Sequence, residues 1–338
     1  MGGLKVYFPY FDYVRFIAAS IVMLGHSKII TMHDSGAIAV DVFFALSGWL
    51  IGSILLNLKK EDLPRFYFNR AVRIWIPYFV ALILLISVSL IKDTITPKWI
   101  EIVFYKITFV YNIFGTPQLA DFVHQMPLDG TGNHYWSVNA EEQFYLLSPL
   151  LLVVIGRFGR SPVLWIFLSL ASWYMYLYTP IFFGVTAAVL VNQYGKFYTH
   201  QLCKLASIIA ILITVSLFLE GIDYRIISPV FSIAVILILA IEGNPSKIGK
   251  FLGGISYPLY LNHWIGVFAA NFLMKESVFN PAFAMLSNYL IVAVMYMVID
   301  KPCLAARSKL YNENRAKIIT TLAYSMVIIG IGGGLYLK

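Results

Sequence analysis

The sequence predicts an all-α polytopic integral membrane protein, with about ten to eleven transmembrane helices around a polar central cavity. Three observations carry that expectation. Of 338 residues, 59% are hydrophobic and only 12% are charged, with a mean hydropathy of +0.77, whereas soluble domains carry roughly 25% charged residues. Apolar stretches near the ~20 residues that cross a bilayer recur along the chain. The first of them, YFDYVRFIAASIVMLGHSKII, encloses Asp12, Arg15 and His26. Ionisable residues inside a span are costly and face a bundle interior or a wet path.

The predicted spans are 9–28, 36–57, 74–92, 136–156, 162–179, 181–195, 204–220, 226–241, 255–274, 282–300 and 318–337. The fifth and sixth abut, and the sixth is short. Residues 98–114 are apolar enough for a further span, but Lys98, Glu101 and Lys106 favour an interfacial or re-entrant segment. No soluble module, linker, repeat or cleavable signal peptide stands out. Cys203 and Cys303 form neither a disulfide framework nor a metal pattern.

The net charge of +8 falls mostly in short stretches between apolar runs, where it sets topology rather than binding nucleic acid. With the N-terminus in the cytoplasm, 18 of the 25 Lys and Arg lie inside, from Lys5 to Lys317. The outer side keeps Lys28, Lys92, Lys98, Lys106, Arg225, Lys275 and Lys338. This predicts N-terminus in and C-terminus out.

Arg15 and His26 are eleven residues apart. On a helix that is about 1,100° of rotation, so they share a face within roughly 20°, about 16 Å apart along the axis. The second span holds Asp41, an intramembrane carboxylate or a solvated one near the interface, and Ser47-Gly48, a small pair suited either to helix packing or to the site. Arg70 and Arg73 share a helix face at the inner boundary. They suit phosphate recognition, and equally anchoring beside anionic lipid. Glu141 and Glu142 enter the fourth span beside Trp136, Phe144 and Tyr145. They read as helix N-terminal charges or as carboxylates at the mouth of a cavity. Tyr257, Tyr260 and His263 recur at i, i+3 steps in the ninth. A lone His among aromatics packs more often than it reacts.

Five stretches, in order, resemble the integral-membrane acyltransferase family 3, whose members include O-acetyltransferases of bacterial surface polysaccharides, O-antigen and nodulation factors. The family pattern LDGLRxIAAxxVxxxH appears as FDYVRFIAASIVMLGH, with the Arg-x10-His spacing. GVDLFFxLSGFLI appears as AVDVFFALSGWLI, R-x-x-R before I-x-P-x-Y as RAVRIWIPY, WSLxVEEQFYLLxPL as WSVNAEEQFYLLSPL, and SYxLYLxHW as SYPLYLNHW. Tyr13, Trp49, Asn139 and Ala140 are the departures, and none removes a polar group the chemistry needs.

The resemblance implies an acyltransferase-like transmembrane domain over 1–310 and an additional C-terminal helix over 311–338, without the extracytoplasmic hydrolase-like domain that some members carry. It implies transfer of an acyl group, most simply acetyl, from cytoplasmic acyl-CoA to a hydroxyl of a cell-surface glycan or lipid-linked sugar. No permanently bound cofactor or metal is expected. Acyl-CoA is a co-substrate, the bilayer a partner, a homo-oligomer stays open, and the location is a bacterial inner membrane. His26 would be the general base or a transient acyl carrier, oriented by Glu141 or Asp41. Arg70 and Arg73 would hold the CoA phosphates and Arg15 a phosphate or the thioester carbonyl of the acyl-CoA, with Asp12, Ser47, Glu142, Tyr260 and His263 in support. A transporter with an intramembrane Arg/His path is the alternative, and a membrane scaffold a third.

Overall fold

The computed structural model describes residues 7–274 and 277–337; the expected topology residues Lys5, Lys275 and Lys338 lie outside them. Among the described residues there are helices and turns and no strand. In chain order the α-helices are α1 (Pro9–His26), α2 (Ser35–Leu56), α3 (Leu63–Lys92), α4 (Pro97–Ile107), α5 (Tyr111–Phe114), α6 (Leu119–Phe122), α7 (Tyr135–Pro149), α8 (Pro162–Tyr174), α9 (Thr179–Tyr194), α10 (Gln201–Leu219), α11 (Tyr224–Leu239), α12 (Lys247–Leu273), α13 (Asn280–Met295), α14 (Lys301–Leu310) and α15 (Glu313–Leu337).

Each of the eleven apolar stretches is helical over most of its length. Among the described residues, five helical segments are long and apolar enough to cross a membrane: Ser35–Leu56, Lys60–Lys92, Gln201–Leu219, Asn280–Leu310 and Glu313–Leu337. α8 and α11 are apolar but shorter. At 13 residues, α8 rises about 20 Å, less than the ~30 Å hydrocarbon core. It ends where Tyr176 and Tyr178 take left-handed φ values of 54° and 50°. α3 starts eleven residues before its predicted span, so Arg65, Arg70 and Arg73 belong to one 30-residue helix.

Segment 98–114 breaks into α4 and α5. Lys106, which argued against a span there, is 1% exposed. Its Nζ donates to the Gly132 carbonyl at 2.7 Å and sits 3.7 Å from the Tyr111 ring centroid. Carbonyl and π-face together replace its water.

α2 packs most extensively on α9, and α12 on α13 and α1. Gly48 and Gly184 let the first pair touch backbone to backbone: a Cβ at Gly48 would collide with the Ile181 carbonyl, and one at Gly184 with that of Ala45. α15 lies against α3 and α4. Its Gly330 and Gly334 admit Thr108 and Phe114.

Candidate active site

A cavity of about 230 Å³ opens among α1, α2, α3, α7 and α12. Arg15, Arg70, Arg73, Ser47, Glu141, Ser137, Tyr257 and Tyr260 are among its lining residues. Three guanidinium groups thus face one carboxylate. Arg15 is held by Asp12 at 3.3 Å, and the Tyr7 hydroxyl donates to the same carboxylate. Arg70 lies 5.7 Å from the Phe66 ring centroid and 5.8 Å from that of Tyr145, and its Nε is buried without a hydrogen-bond partner. Arg73 is exposed at the rim. Arg307 on α14 stands near enough to feel its charge, as it does that of Arg65.

Ser47 and Gly48 divide the two roles their pair allowed. Gly48 serves the contact with α9, while the Ser47 hydroxyl donates to Glu141, as does that of Tyr145. Glu141 and Glu142 are not first-turn charges, because α7 begins at Tyr135. Glu142 turns away from the cavity, accepts from Trp75 Nε1 at 3.0 Å, and keeps Oε2 buried without a partner.

His26 closes α1 and lies outside this cavity, in an open recess of about 500 Å³ shared with Lys28 and Asp34. Two further imidazoles stand behind it. The ring centroids of His26 and His263 are 4.9 Å apart, those of His134 and His263 4.4 Å, and those of His26 and His134 6.0 Å. His263 and His134 are buried, and each is tethered to the backbone. His263 Nδ1 meets the Tyr260 carbonyl at 2.9 Å, and His134 Nε2 meets that of Leu261 at 3.3 Å. A carbonyl can only accept, so each tethered nitrogen carries the proton and the other nitrogen presents a lone pair.

Neither carboxylate expected to orient His26 is bonded to it. Glu141 is engaged by Ser47 and Tyr145, and Asp41 accepts from Ser228 at 2.5 Å between α2 and α11. Among the described residues, imidazoles face His26 instead. The layer between the cavity and the histidines is Tyr260, whose hydroxyl meets Ser137 at 2.5 Å and the His134 carbonyl at 2.8 Å.

His134 escaped the sequence reading. Its one signal is its place in NHYW, two residues before the Trp that opens the fourth motif. Arg307 passed as a topology charge. Tyr13, the departure in the first motif, is accommodated: its hydroxyl lies 3.0 Å from Ser246, and Gly249 leaves room for the ring. No group of three or more His, Cys, Asp or Glu with metal-site geometry occurs among the described residues.

The apolar helices and the buried polar site define the class, a multi-pass membrane protein with a cation-lined chamber inside its bundle. The chain belongs to the integral-membrane acyltransferase family 3: the family model described as "Acyltransferase domain" matches residues 8–299. Among curated relatives, "O-acetyltransferase OatA" of Staphylococcus aureus is 28% identical over 88% of this chain and 57% of its own length. "Peptidoglycan O-acetyltransferase OatA" of Listeria monocytogenes is 28% identical over 52% of this chain and 30% of its own. "Putative membrane-bound transacylase BcsY" of Komagataeibacter xylinus is 26% identical over 91% and 84%. The chain therefore spans little more than half the length of the staphylococcal relatives it matches. No solved structure matches. Nothing in these comparisons favours a transporter.

Proposed function

We propose that this protein is a membrane O-acyltransferase that moves an acyl group, most simply acetyl, from acyl-CoA to a hydroxyl of a cell-surface glycan or lipid-linked sugar. The observation that carries the reading is the convergence of Arg15, Arg70 and Arg73 on one chamber with a single opposing carboxylate, Glu141, and an unpartnered Arg70 Nε. Such a chamber suits a polyanion, and planar guanidinium forks suit phosphate oxygens. Family membership makes acyl transfer the matching chemistry.

In this reading the CoA phosphates bind at Arg70 and Arg73, with Arg307 adding to the field. Arg15 holds a phosphate or polarises the thioester carbonyl. His26 takes the proton of the acceptor hydroxyl as the oxygen attacks the carbonyl carbon. The new C–O bond forms, the C–S bond breaks, and the proton passes to the departing CoA thiolate. His263 and His134, rather than a carboxylate, back His26. Tyr260 and Ser137 stand where the donor and acceptor sides meet. Glu141, held by Ser47 and Tyr145, offsets part of the cationic charge, and Asp12 fixes Arg15. Asp41 and Glu142 support helix packing. The membrane is the bacterial inner membrane, the N-terminus is cytoplasmic, and the family-like transmembrane domain covers 1–310.

The test is thermal unfolding of the detergent-purified protein with and without acetyl-CoA. Saturation to 100 Kd adds about 2.7 kcal/mol of stability, so the midpoint rises in the parent and the rise is lost in Arg70→Ala/Arg73→Ala. Equal stabilisation of the parent and the double variant would refute the donor assignment.

A further inference from the structure

Two recesses meet at the turn between α1 and α2. One is the polar, open recess of His26, Lys28 and Asp34. The other is an apolar slot of about 410 Å³ between α1 and α2 on one side and α10 and α11 on the other. They share Met32 and Ser35 in their walls, so they adjoin. The slot exists because α10 packs extensively on α11 and not on α1 or α2. Ile17 of α1 and Val215 of α10 consequently face it while 56% and 42% exposed.

The walls admit hydrocarbon. Thr214 spends its hydroxyl on the Ala210 and Ile211 carbonyls at 2.8 and 3.0 Å, and Ser228 spends its own on Asp41 at 2.5 Å. The recess differs. Asp34 is engaged by His33 at 2.6 Å, while Lys28 has no acidic partner among the described residues. Lys98, Lys196 and Lys317 each have one. A free ammonium at the end of an apolar slot, beside His26, complements a molecule with a long apolar chain and an anionic, hydroxyl-bearing head.

We propose that the α1/α2/α10/α11 slot binds the chain of a lipid-linked sugar acceptor, with Lys28 at its phosphate and the sugar in the His26 recess. This rests on the acyltransferase reading and narrows its acceptor to the lipid-linked class. The chain would hold the sugar at the recess, turning attack into an encounter of bound groups.

The probe is a polyprenyl phosphate with a photoreactive diazirine in its chain, cross-linked to the protein in phosphatidylcholine nanodiscs and mapped by mass spectrometry. Adducts are expected on slot residues, competed by unlabelled polyprenyl phosphate and not by the same excess of phosphatidylglycerol. Val215→Trp and Ile17→Trp, at exposed positions that fill the slot without disturbing the core, should each lower the yield at least about tenfold, as should Lys28→Gln. Adducts spread over the whole lipid-facing surface, equal competition by phosphatidylglycerol, or yields unmoved by the tryptophans would overturn the proposal and leave ordinary bilayer lipid in the slot. Acetyl-CoA stabilisation on the same preparations depends on Arg70 and Arg73, not on Val215. Failure there refutes the donor reading and leaves the cross-linking result to be judged separately.

Discussion

His26 ends α1 in an open recess, with the buried rings of His263 and His134 behind it. The His26 and His263 rings pack against each other at 4.9 Å, tilted by 53°. Removing a general base costs about 10²–10⁴-fold in rate. His26→Ala should therefore lose acyl transfer by that factor while still binding acetyl-CoA, measured with labelled donor on the folded protein. His263→Ala should lower kcat and shift the pH–rate profile with little change in KM for acetyl-CoA, and His263→Asn, which keeps a polar group there, should recover part of the rate. Unaltered kcat and profile in His263→Ala would show that the ring only packs. A second residue-scale effect lies in the loops flanking α10 and α12. Glu242 is held by Lys196 at 2.5 Å and by the Tyr198 hydroxyl at 2.9 Å. Lys196 and then Tyr198 lower its pKa below the ordinary carboxylate range. A depressed folded value stabilises above the unfolded pKa and is lost as pH falls through the folded one. Glu242→Gln should therefore reduce the acid sensitivity of the unfolding midpoint below about pH 4. Exposure limits the effect to about 1 kcal/mol or less, and identical acid profiles would remove the claim.

At the scale of elements, α2 is the wall that carries most. Its Ser47 faces the chamber, and Gly48, the next residue, faces α9. Successive residues point about 100° apart on a helix, so one dipeptide serves the site and the packing. Gly48→Ala or Gly184→Ala forces two backbones apart and should cost about 1–3 kcal/mol, read as a fall in the thermal midpoint. Gly36→Ala, where a Cβ meets nothing within 4 Å, is the control and should leave the midpoint unchanged or slightly raised. Equal midpoints for all three variants would mean that α2 and α9 do not need the close approach.

Across the whole molecule, Tyr260 lines the arginine-rich chamber and packs edge-on against His134, whose ring lies 6.0 Å from that of His26; in the proposed reading, donor and acceptor arrive from different directions. The proposed orientation puts Cys203 and Cys303, both free thiols, near the inner face. A membrane-impermeant maleimide should then label neither in intact cells and both after permeabilisation. Labelling of either before permeabilisation would reverse the orientation.

The sequence by itself determined the all-helical membrane class, the approximate place of each helix and the arginines of the chamber. These follow from apolar composition, charge placement and local spacing, which are written in consecutive residues. The Arg70/Arg73 step on one helix and the polar face of α1 were legible for that reason. Only the tertiary structure decided which groups meet. His134 joins His26 and His263 across more than a hundred residues of chain. Glu141 turns to Ser47 and Tyr145, and Asp41 to Ser228, so imidazoles rather than a carboxylate back His26. The apolar slot beside the recess arises from the packing of four helices, each of which reads alone as an ordinary apolar stretch. Helix-to-helix contacts are set by side-chain fit between segments far apart in the chain, and periodicity within one segment carries no record of its partner.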